Sequence, residues 1–207
     1  MTIPSTGLTV RKAGEHEAPN VARLIAEAFA PLDVSGWLVA QDDRRVGVLT
    51  DYFTVHVGHA FRHGQVDVID VSAGGGPVLA AAGVWFAVPH PDVDRYEAQM
   101  LAVCGEWAPR FTALEAQMHR AHPLDRGPHM YLAFLAVGAR WQNRGLGSLL
   151  LDARLRDLDQ YGLPSYLEAS NAQSRNLYLR KGFMDCAPVL DLPYDGEPLY
   201  PMWRDGR

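Results

Sequence analysis

Residues 136–151 constrain the possible folds of this chain more than any other segment. An apolar, strand-like run ends at Val137, and a leucine-rich helical pattern begins at Leu146. The turn between them carries two glycines, Gly145 and Gly147. A helix that begins at such a turn leaves its first N–H groups unpaired and adds a partial positive charge, and both features attract anions. The segment therefore predicts a strand, turn and helix that bind a diphosphate through main-chain N–H groups.

Two familiar phosphate-binding turns do not fit these residues. A Walker loop ends in Gly-Lys-Ser or Gly-Lys-Thr, whereas Gly147 is followed by Ser148 and Leu149. A dinucleotide-binding fold has a third glycine three residues after the second, where this chain has Leu150. Nucleotide hydrolysis and dinucleotide binding are therefore disfavoured.

Hydrophobic patterns along the rest of the chain predict alternating strands and helices. The predicted strands cover residues 8–13, 65–71, 78–88, 129–137, 165–170, 187–192 and 199–204. The predicted helices cover residues 17–30, 42–62, 92–122 with a break at Pro109, 146 to Gly162, and 174–181. In the fourth helix, we expect Leu146, Leu149, Leu150, Leu155 and Leu158 to face inward and Asp152, Arg154, Arg156 and Asp157 to face outward. This order predicts a single α+β domain over residues 1–207, with three layers and at least one parallel crossover.

Composition narrows the class of partner. The 24 acidic and 19 basic side chains give a net charge of -5, which disfavours nucleic-acid binding and mildly favours cationic small molecules. No apolar run reaches the roughly 18 residues of a membrane span, and the first nine residues do not resemble a signal peptide. Cys104 and Cys186 are too few for a disulfide framework and lack zinc-binding spacing. We therefore expect a cytoplasmic protein without membrane, nucleic-acid or metal partners.

Two motifs relate the chain to a known family. Gln142-Asn143-Arg144-Gly145-Leu146-Gly147 matches Gln/Arg-x-x-Gly-x-Gly/Ala, and the strand end Leu135-Ala136-Val137 precedes it. Asn171, Tyr178, Gly182 and Phe183 match a second pattern, Asn-x6-Tyr-x3-Gly-Phe. On these residues the chain resembles the GNAT superfamily of N-acetyltransferases. The segments "GVWFAVP", "YLEAS" and "PMWR" are similar to its puromycin N-acetyltransferase-like branch.

The resemblance implies a three-layer α/β/α fold whose mixed sheet is split at its centre, with acetyl-CoA as co-substrate. Pantetheine would lie along the strand that ends at Val137, and the N–H group near Val137 would polarise the thioester. The family usually has glycine where this chain has Asn143, and asparagine tolerates a left-handed backbone. Asn171 would either contact the co-substrate or cap a helix. The expected co-substrate site consists of Leu135, Ala136, Val137, Gln142, Asn143, Arg144, Gly145, Leu146, Gly147, Ser148 and Asn171.

The catalytic candidates are one phenol and one carboxylate. By the family pattern Tyr178 is the general acid for the thiolate, the alternative being a core tyrosine. Glu168 is the candidate general base, because a strand beside the split would desolvate its carboxylate; otherwise it faces outward or pairs with an arginine. His56, His59 and His63 share one helical face, which we interpret as a polar face rather than a metal site, although one of them could be the base.

Other residue groups have two interpretations each. Four arginines either contact the 3′-phosphate of the nucleotide or remain solvated, and five aromatic residues either line an acceptor cleft or belong to the core. The arginines are Arg140, Arg144, Arg175 and Arg180, and the aromatic residues are Trp37, Phe53, Trp85, Phe86 and Trp107.

These features predict an acetyl-CoA-dependent N-acetyltransferase. Neither cysteine lies near the turn, so we expect direct transfer from acetyl-CoA to a primary amine of a small molecule. Two alternatives remain open, namely a non-catalytic acyl-CoA-binding regulatory module and a protein N-terminal acetyltransferase. The sequence is compatible with a monomer or a homodimer.

Overall fold

The computed structural model describes residues 8–72, 76–190 and 192–207. Residues 73–75, which separate the predicted strands 65–71 and 78–88, and one residue of the predicted strand 187–192 lie outside these ranges. The strands are β1 Val10–Lys12, β2 Gly64–Ser72, β3 Pro77–Val88, β4 His129–Val137, β5 Ser165–Ala169, β6 Met184–Asp185 and β7 Tyr200–Arg204. The α-helices are α1 Ala18–Phe29, α2 Asp33–Leu38, α3 Asp42–His63, α4 Tyr96–Cys104, α5 Ala108–Ala121, α6 Leu146–Gln160 and α7 Ala172–Arg180.

The strands form one mixed sheet in the order β1-β2-β3-β4-β5-β7-β6. Among the described strands, only β4 and β5 run parallel, and α6 connects them. Successive side chains of β3 alternate between two cores: Val84 and Phe86 pack with helices α1 to α5, whereas Trp85 packs with α6 and α7. The fold is therefore α+β with helices on both faces of the sheet, which confirms the predicted fold class.

The sheet opens between its two parallel strands. β4 and β5 pair only at Met130 with Ser165 and at Tyr131 with Tyr166 within the described ranges. On the other side of β4, the register with β3 shifts so that Ala133 is an extra residue, as in a β-bulge. Beyond Tyr131 the two parallel strands part, so that main-chain groups of β4 face a gap.

The structure corrects one predicted strand and the position of one predicted helix break. The predicted strand 187–192 is wrong: β6 lies earlier in the chain, and Leu190 only bridges Leu199. Pro188 lacks an N–H group for a ladder hydrogen bond, which accounts for the interruption. The break in the long helical segment falls at Gly105–Trp107, and Pro109 lies in the first turn of α5, where its missing N–H is tolerated.

Arg154 does not face solvent as predicted. Its side chain is 10% exposed and crosses to β2, where Nη2 donates to Asp67 Oδ2 over 2.6 Å. Asp67 is itself buried, so the long arginine side chain follows its carboxylate instead of the helical pattern. Leu149 is partly exposed and Leu151 is buried, whereas Leu146, Leu150, Leu155 and Leu158 are buried as predicted.

Candidate active site

The glycine turn presents main-chain donors at the start of α6. Gly145 precedes the helix with a positive φ of 82°, and the N–H of Leu149 donates to Gly145 O over 2.9 Å. The N–H groups of residues 146–148 come before this first helical bond and have no partner within the helix. Asn143 has φ 58°, which confirms the expected left-handed backbone at this position. The local geometry suits a diphosphate.

The packing of the protein does not require the second glycine. A Cβ built on Gly147 would lie 3.6 Å from Leu177 Cδ2 and 3.7 Å from Val137 Cγ2, which are ordinary van der Waals contacts. An alanine would therefore fit, and it is the better helix former. The space that Gly147 leaves at the start of α6 is thus available to a ligand without being needed for the fold.

Donors on β4 face the gap between the parallel strands. The N–H of Gly138 donates to Ala80 O over 2.9 Å, and alternation along the antiparallel pair turns the N–H groups of Val137 and Leu135 away from β3. Gln142 Nε2 donates to Val137 O over 3.3 Å, so this side chain joins the turn to the strand end. An extended pantetheine chain could pair with the exposed edge of β4, as the family resemblance implies.

The second sequence motif forms the two ends of α7. Asn171 Oδ1 accepts from the N–H of Ser174 over 2.8 Å, which confirms the helix-cap interpretation, while its contact with a co-substrate stays a prediction. Gly182 has φ 88°, and its N–H donates to Leu179 O, while the N–H of Phe183 donates to Tyr178 O. This Schellman ending brings the Phe183 and Tyr178 rings within 5.8 Å. Much of the motif is therefore explained by helix capping.

Tyr178 lies in the core layer formed by α6 and α7. It is 7% exposed and packs with Trp85, Leu132 and Phe183. Burial raises the pKa of its phenol, so the hydroxyl keeps its proton at neutral pH. The side chain is thus a potential proton donor, and capping of α7 does not use its hydroxyl.

Glu168 lies on β5 just beyond the last pair with β4. Tyr131 Oη donates to Glu168 Oε2 over 2.9 Å, whereas Glu168 Oε1 and Tyr166 Oη are buried without a hydrogen-bond partner among the described residues. Burial raises the pKa of Glu168 to about 7, and the hydrogen bond from Tyr131 partly opposes this rise. Its hydrogen-bonding partner is therefore a tyrosine and not an arginine, and its second oxygen is buried with no hydrogen bond to the described residues.

The two catalytic candidates approach the gap from opposite faces of the sheet. Leu167 and Ala169 belong to the same core as Tyr178. Glu168 lies between them on the strand, so its side chain points to the other face, where Tyr131 packs with the α1 to α5 core. A proton acceptor and a proton donor therefore flank the opening in the sheet.

The three histidines of α3 do not form a polar face. His59 is 2% exposed with Nε2 2.9 Å from Pro91 O, and His56 packs against Tyr52 and Tyr96; of the three, His63 alone is exposed. Burial lowers the pKa of His56 to about 4, so its ring is neutral at neutral pH. Within the described ranges, no group of three or more His, Cys, Asp or Glu side chains is arranged to hold a metal ion.

The remaining candidates divide between surface and core. Phe53, Trp85, Phe86 and Trp107 are core residues, and Trp107 also lines a hollow of about 340 Å³ at α4. Trp37 is partly exposed and lines a hollow of about 510 Å³ at α2. Neither hollow adjoins Glu168 or Tyr178. Of the four arginines, Arg175 pairs with Asp185, and Arg180 is exposed. Arg140 and Arg144 lie over the Trp141 ring.

Sequence reasoning missed the tyrosines around Glu168. Tyr166 is two residues before Glu168, and period-two alternation already places both on one face, so this neighbour was predictable. Tyr131 comes from another strand, and its contact depends on the sheet register. His122, whose ring centroid lies 4.3 Å from that of Tyr166, was also missed; burial lowers its pKa to about 4.

Comparison with known proteins agrees with this geometry. Residues 89–183 match the model of the Acetyltransferase (GNAT) family. A Corynebacterium glutamicum structure described as histone acetyltransferase HPA2 and related acetyltransferase is 24% identical, with a TM-score of 0.72 over 97% of each chain. A mosquito arylalkylamine N-acetyltransferase like 5b is 14% identical, with a TM-score of 0.67 over 96% of this chain and 100% of that one. The NatC complex bound to Gag peptide and CoA is 12% identical, with a TM-score of 0.55 over 97% and 99%.

These likenesses under 25% identity concern the fold, and the family match concerns the segment with the gap, the glycine turn and the whole of α7. No helix in the described part of the chain is long and apolar enough to cross a bilayer. The match of residues 89–183 to the Acetyltransferase (GNAT) family, together with the fold of the whole chain, supports an acyltransferase.

Proposed function

We propose that this protein transfers an acetyl group from acetyl-CoA directly to a primary amine of a small molecule. The observation that carries the proposal is the arrangement at the gap. There, main-chain donors of β4 lie beside Glu168 on one face and Tyr178 on the other. A non-catalytic acyl-CoA sensor requires neither side chain. The alternative of a regulatory module is therefore less favoured.

Each residue has one task in the proposed reaction. When bound, acetyl-CoA supplies an activated acyl thioester. The N–H groups of residues 146–148 bind its diphosphate, and the N–H of Val137 donates to the carbonyl oxygen where negative charge develops. Glu168 takes one proton of the acceptor ammonium, directly or through water, and the free amine forms a C–N bond with the thioester carbon. As the C–S bond breaks, Tyr178 donates a proton to the departing sulfur, and the second proton lost by the nitrogen restores the phenol.

The class of acceptor rests on composition and on the resemblance to the puromycin N-acetyltransferase-like branch. A net charge of -5 and a desolvated carboxylate favour a cationic amine. Structurally similar proteins include one described as an arylalkylamine acetyltransferase and one bound to a peptide. An aminonucleoside or another amine metabolite is the proposed acceptor, and a protein N-terminus is the competing one.

The proposed compartment is the cytoplasm. Free Cys104 and Cys186 are compatible with its reducing conditions.

Thiol release from acetyl-CoA tests this function. We expect turnover with a panel of small primary amines and slower turnover with peptides that carry a free N-terminus. Calorimetry without acceptor is expected to show acetyl-CoA binding in the micromolar range, on the order of -8 kcal/mol. Binding without thiol release from any amine would support the regulatory module, and faster turnover with peptides would support the protein acetyltransferase.

Replacing Gly147 by alanine separates ligand approach from folding. Because the chain leaves room for a Cβ, we expect Gly147→Ala to keep or slightly raise Tm and to weaken acetyl-CoA binding by about tenfold. Gly47→Ala is the matched control, because Gly47 is a helical glycine of α3 with no atom within 4 Å of its added Cβ. Unchanged acetyl-CoA affinity in Gly147→Ala would show that the diphosphate binds elsewhere.

A further inference from the structure

A second buried carboxylate lies outside the proposed acetyl-transfer machinery. Glu115 on α5 accepts hydrogen bonds from the hydroxyls of Tyr52 on α3 and Tyr96 on α4, both at Oε1. His56 Nε2 lies 3.3 Å from Tyr96 Oη and completes the group. We name Tyr52, His56, Tyr96 and Glu115 the Glu115 cluster. Its members come from three helices of the layer that covers Tyr131 and Phe134.

The Glu115 cluster holds a carboxyl group without a neighbouring cation. No ion pair of Glu115 exists among the residues that the structure describes, and His56 is neutral because burial lowers its pKa to about 4. Removing a carboxylate from water without a cation is unfavourable, and two hydroxyl donors compensate only in part. The pKa of Glu115 is accordingly raised, because the effect of burial exceeds that of the hydrogen bonds from Tyr96 and Tyr52. A cationic group bound beside Glu115 would supply the missing counter-charge.

Aromatic rings surround the carboxylate, and the position is accessible. The His56 ring lies 4.5 Å from Tyr52, 5.7 Å from Tyr96 and 5.8 Å from Phe134, measured between ring centroids. Glu115, His56, Tyr96 and Phe134 are all partly exposed. Aromatic faces attract cations, and a carboxylate among them provides the opposite charge.

The cluster adjoins the gap through strand β4. Tyr131 on β4 donates to Glu168, and Phe134, three residues further along the strand, packs against the His56 ring of the cluster. Tyr131 and Phe134 both pack with the core that contains Tyr52. One carboxyl group thus lies at the opening of the sheet, and the other lies among the helices that cover the same face of β4.

We propose that the Glu115 cluster binds a second cationic group of the acceptor, so that the preferred substrate is a diamine or a larger amine with two positive centres. One amine reaches Glu168 and reacts, while the other remains charged at Glu115 among the rings of Tyr52, Tyr96 and Phe134. This inference rests on the proposed amine acetylation, because it names the acceptor class for that same site. Glu115 is a specificity-determining residue and takes no part in the transfer itself.

A series of unbranched diamines and the monoamines of the same chain length tests the proposal. At the best chain length, we expect kcat/KM for the diamine to exceed that for the monoamine by about tenfold or more. The second ammonium of the diamine makes a charge-assisted hydrogen bond with Glu115, and the monoamine has no group at that position. Glu115→Gln is expected to reduce this preference to within about twofold and to leave kcat/KM for the monoamine nearly unchanged. Glu97→Gln, which removes an exposed charge from α4, is the matched control.

Two further measurements keep the test independent of folding and of turnover. If Glu115→Gln does not fold, Tyr96→Phe replaces it in the test. This variant retains the ring and the carboxylate, and we expect it to weaken the diamine preference partly. Calorimetric binding of the best diamine in the presence of CoA reports on the cluster even without acetyl transfer. Glu115-dependent binding without turnover would overturn the proposed function alone. Equal kcat/KM for diamines and monoamines in the wild type, or a preference that persists in Glu115→Gln, would overturn this inference.

Discussion

Replacing Tyr178 by phenylalanine is expected to lower kcat for amine acetylation by about 100-fold or more, while the Kd of acetyl-CoA changes by less than about twofold. General acid catalysis contributes on the order of 10² to 10⁴ in rate, and the substitution removes the proton that would go to the sulfur. The phenylalanine ring retains the contact with Phe183 that ends α7. The loss should therefore appear in the chemical step and not in co-substrate binding.

Tyr161→Phe is the control for this experiment, because Tyr161 is 76% exposed and follows the end of α6. Thermal unfolding should show that Tyr178→Phe folds, since its hydroxyl is not part of the Schellman ending. A normal kcat in Tyr178→Phe would assign the proton donor to another group, and the motif would then be a helix-capping signal only. Equal losses of kcat and of acetyl-CoA affinity would indicate that the hydroxyl orients the co-substrate.

Sequence patterns predicted the parts of this site that depend on local structure. The turn at Gly145, the left-handed Asn143 and the cap at Asn171 are each determined by a few neighbouring residues. The strands and long helices follow from hydrophobic periodicity, because each element buries one or both faces. The predicted strand 187–192 is wrong because its hydrophobic residues favour a strand, whereas Pro188 lacks the N–H group that a ladder requires.

Contacts between distant elements could not be predicted in the same way. The pattern of α6 predicts that Arg154 faces outward, and only the position of Asp67 on β2 shows why its side chain is buried. The Glu115 cluster joins residues that are 63 positions apart at Tyr52 and Glu115. No periodicity in α3, α4 or α5 marks these side chains as neighbours, since the contact depends on how three helices pack. The same holds for Tyr131, whose position beside Glu168 depends on the parallel register.

Replacing Glu168 by glutamine is expected to lower kcat/KM by about 100-fold at neutral pH and to remove one limb of the pH profile. In the wild type the carboxylate accepts a proton only when it is ionised, and its pKa is raised to about 7. Activity should therefore rise as pH increases through about 7 and level off as far as this group is concerned. An alkylammonium acceptor titrates near pH 10, so the region around pH 7 reports on the enzyme. The amide of the Glu168→Gln variant cannot ionise, so the variant should lack this limb.

Tyr131→Phe provides a second and more specific readout of the same carboxylate. The hydroxyl of Tyr131 donates to Glu168 Oε2 and lowers the pKa of Glu168 against the effect of burial. Without that donor the pKa must rise further, so the midpoint of the limb should move to higher pH while the limiting rate at high pH is largely retained. If Glu168 had only a structural role, Tyr131→Phe would reduce the rate equally at every pH, and the midpoint of the limb would not move. A midpoint that stays unchanged in Tyr131→Phe, together with a normal limb in Glu168→Gln, would assign the base to a different group.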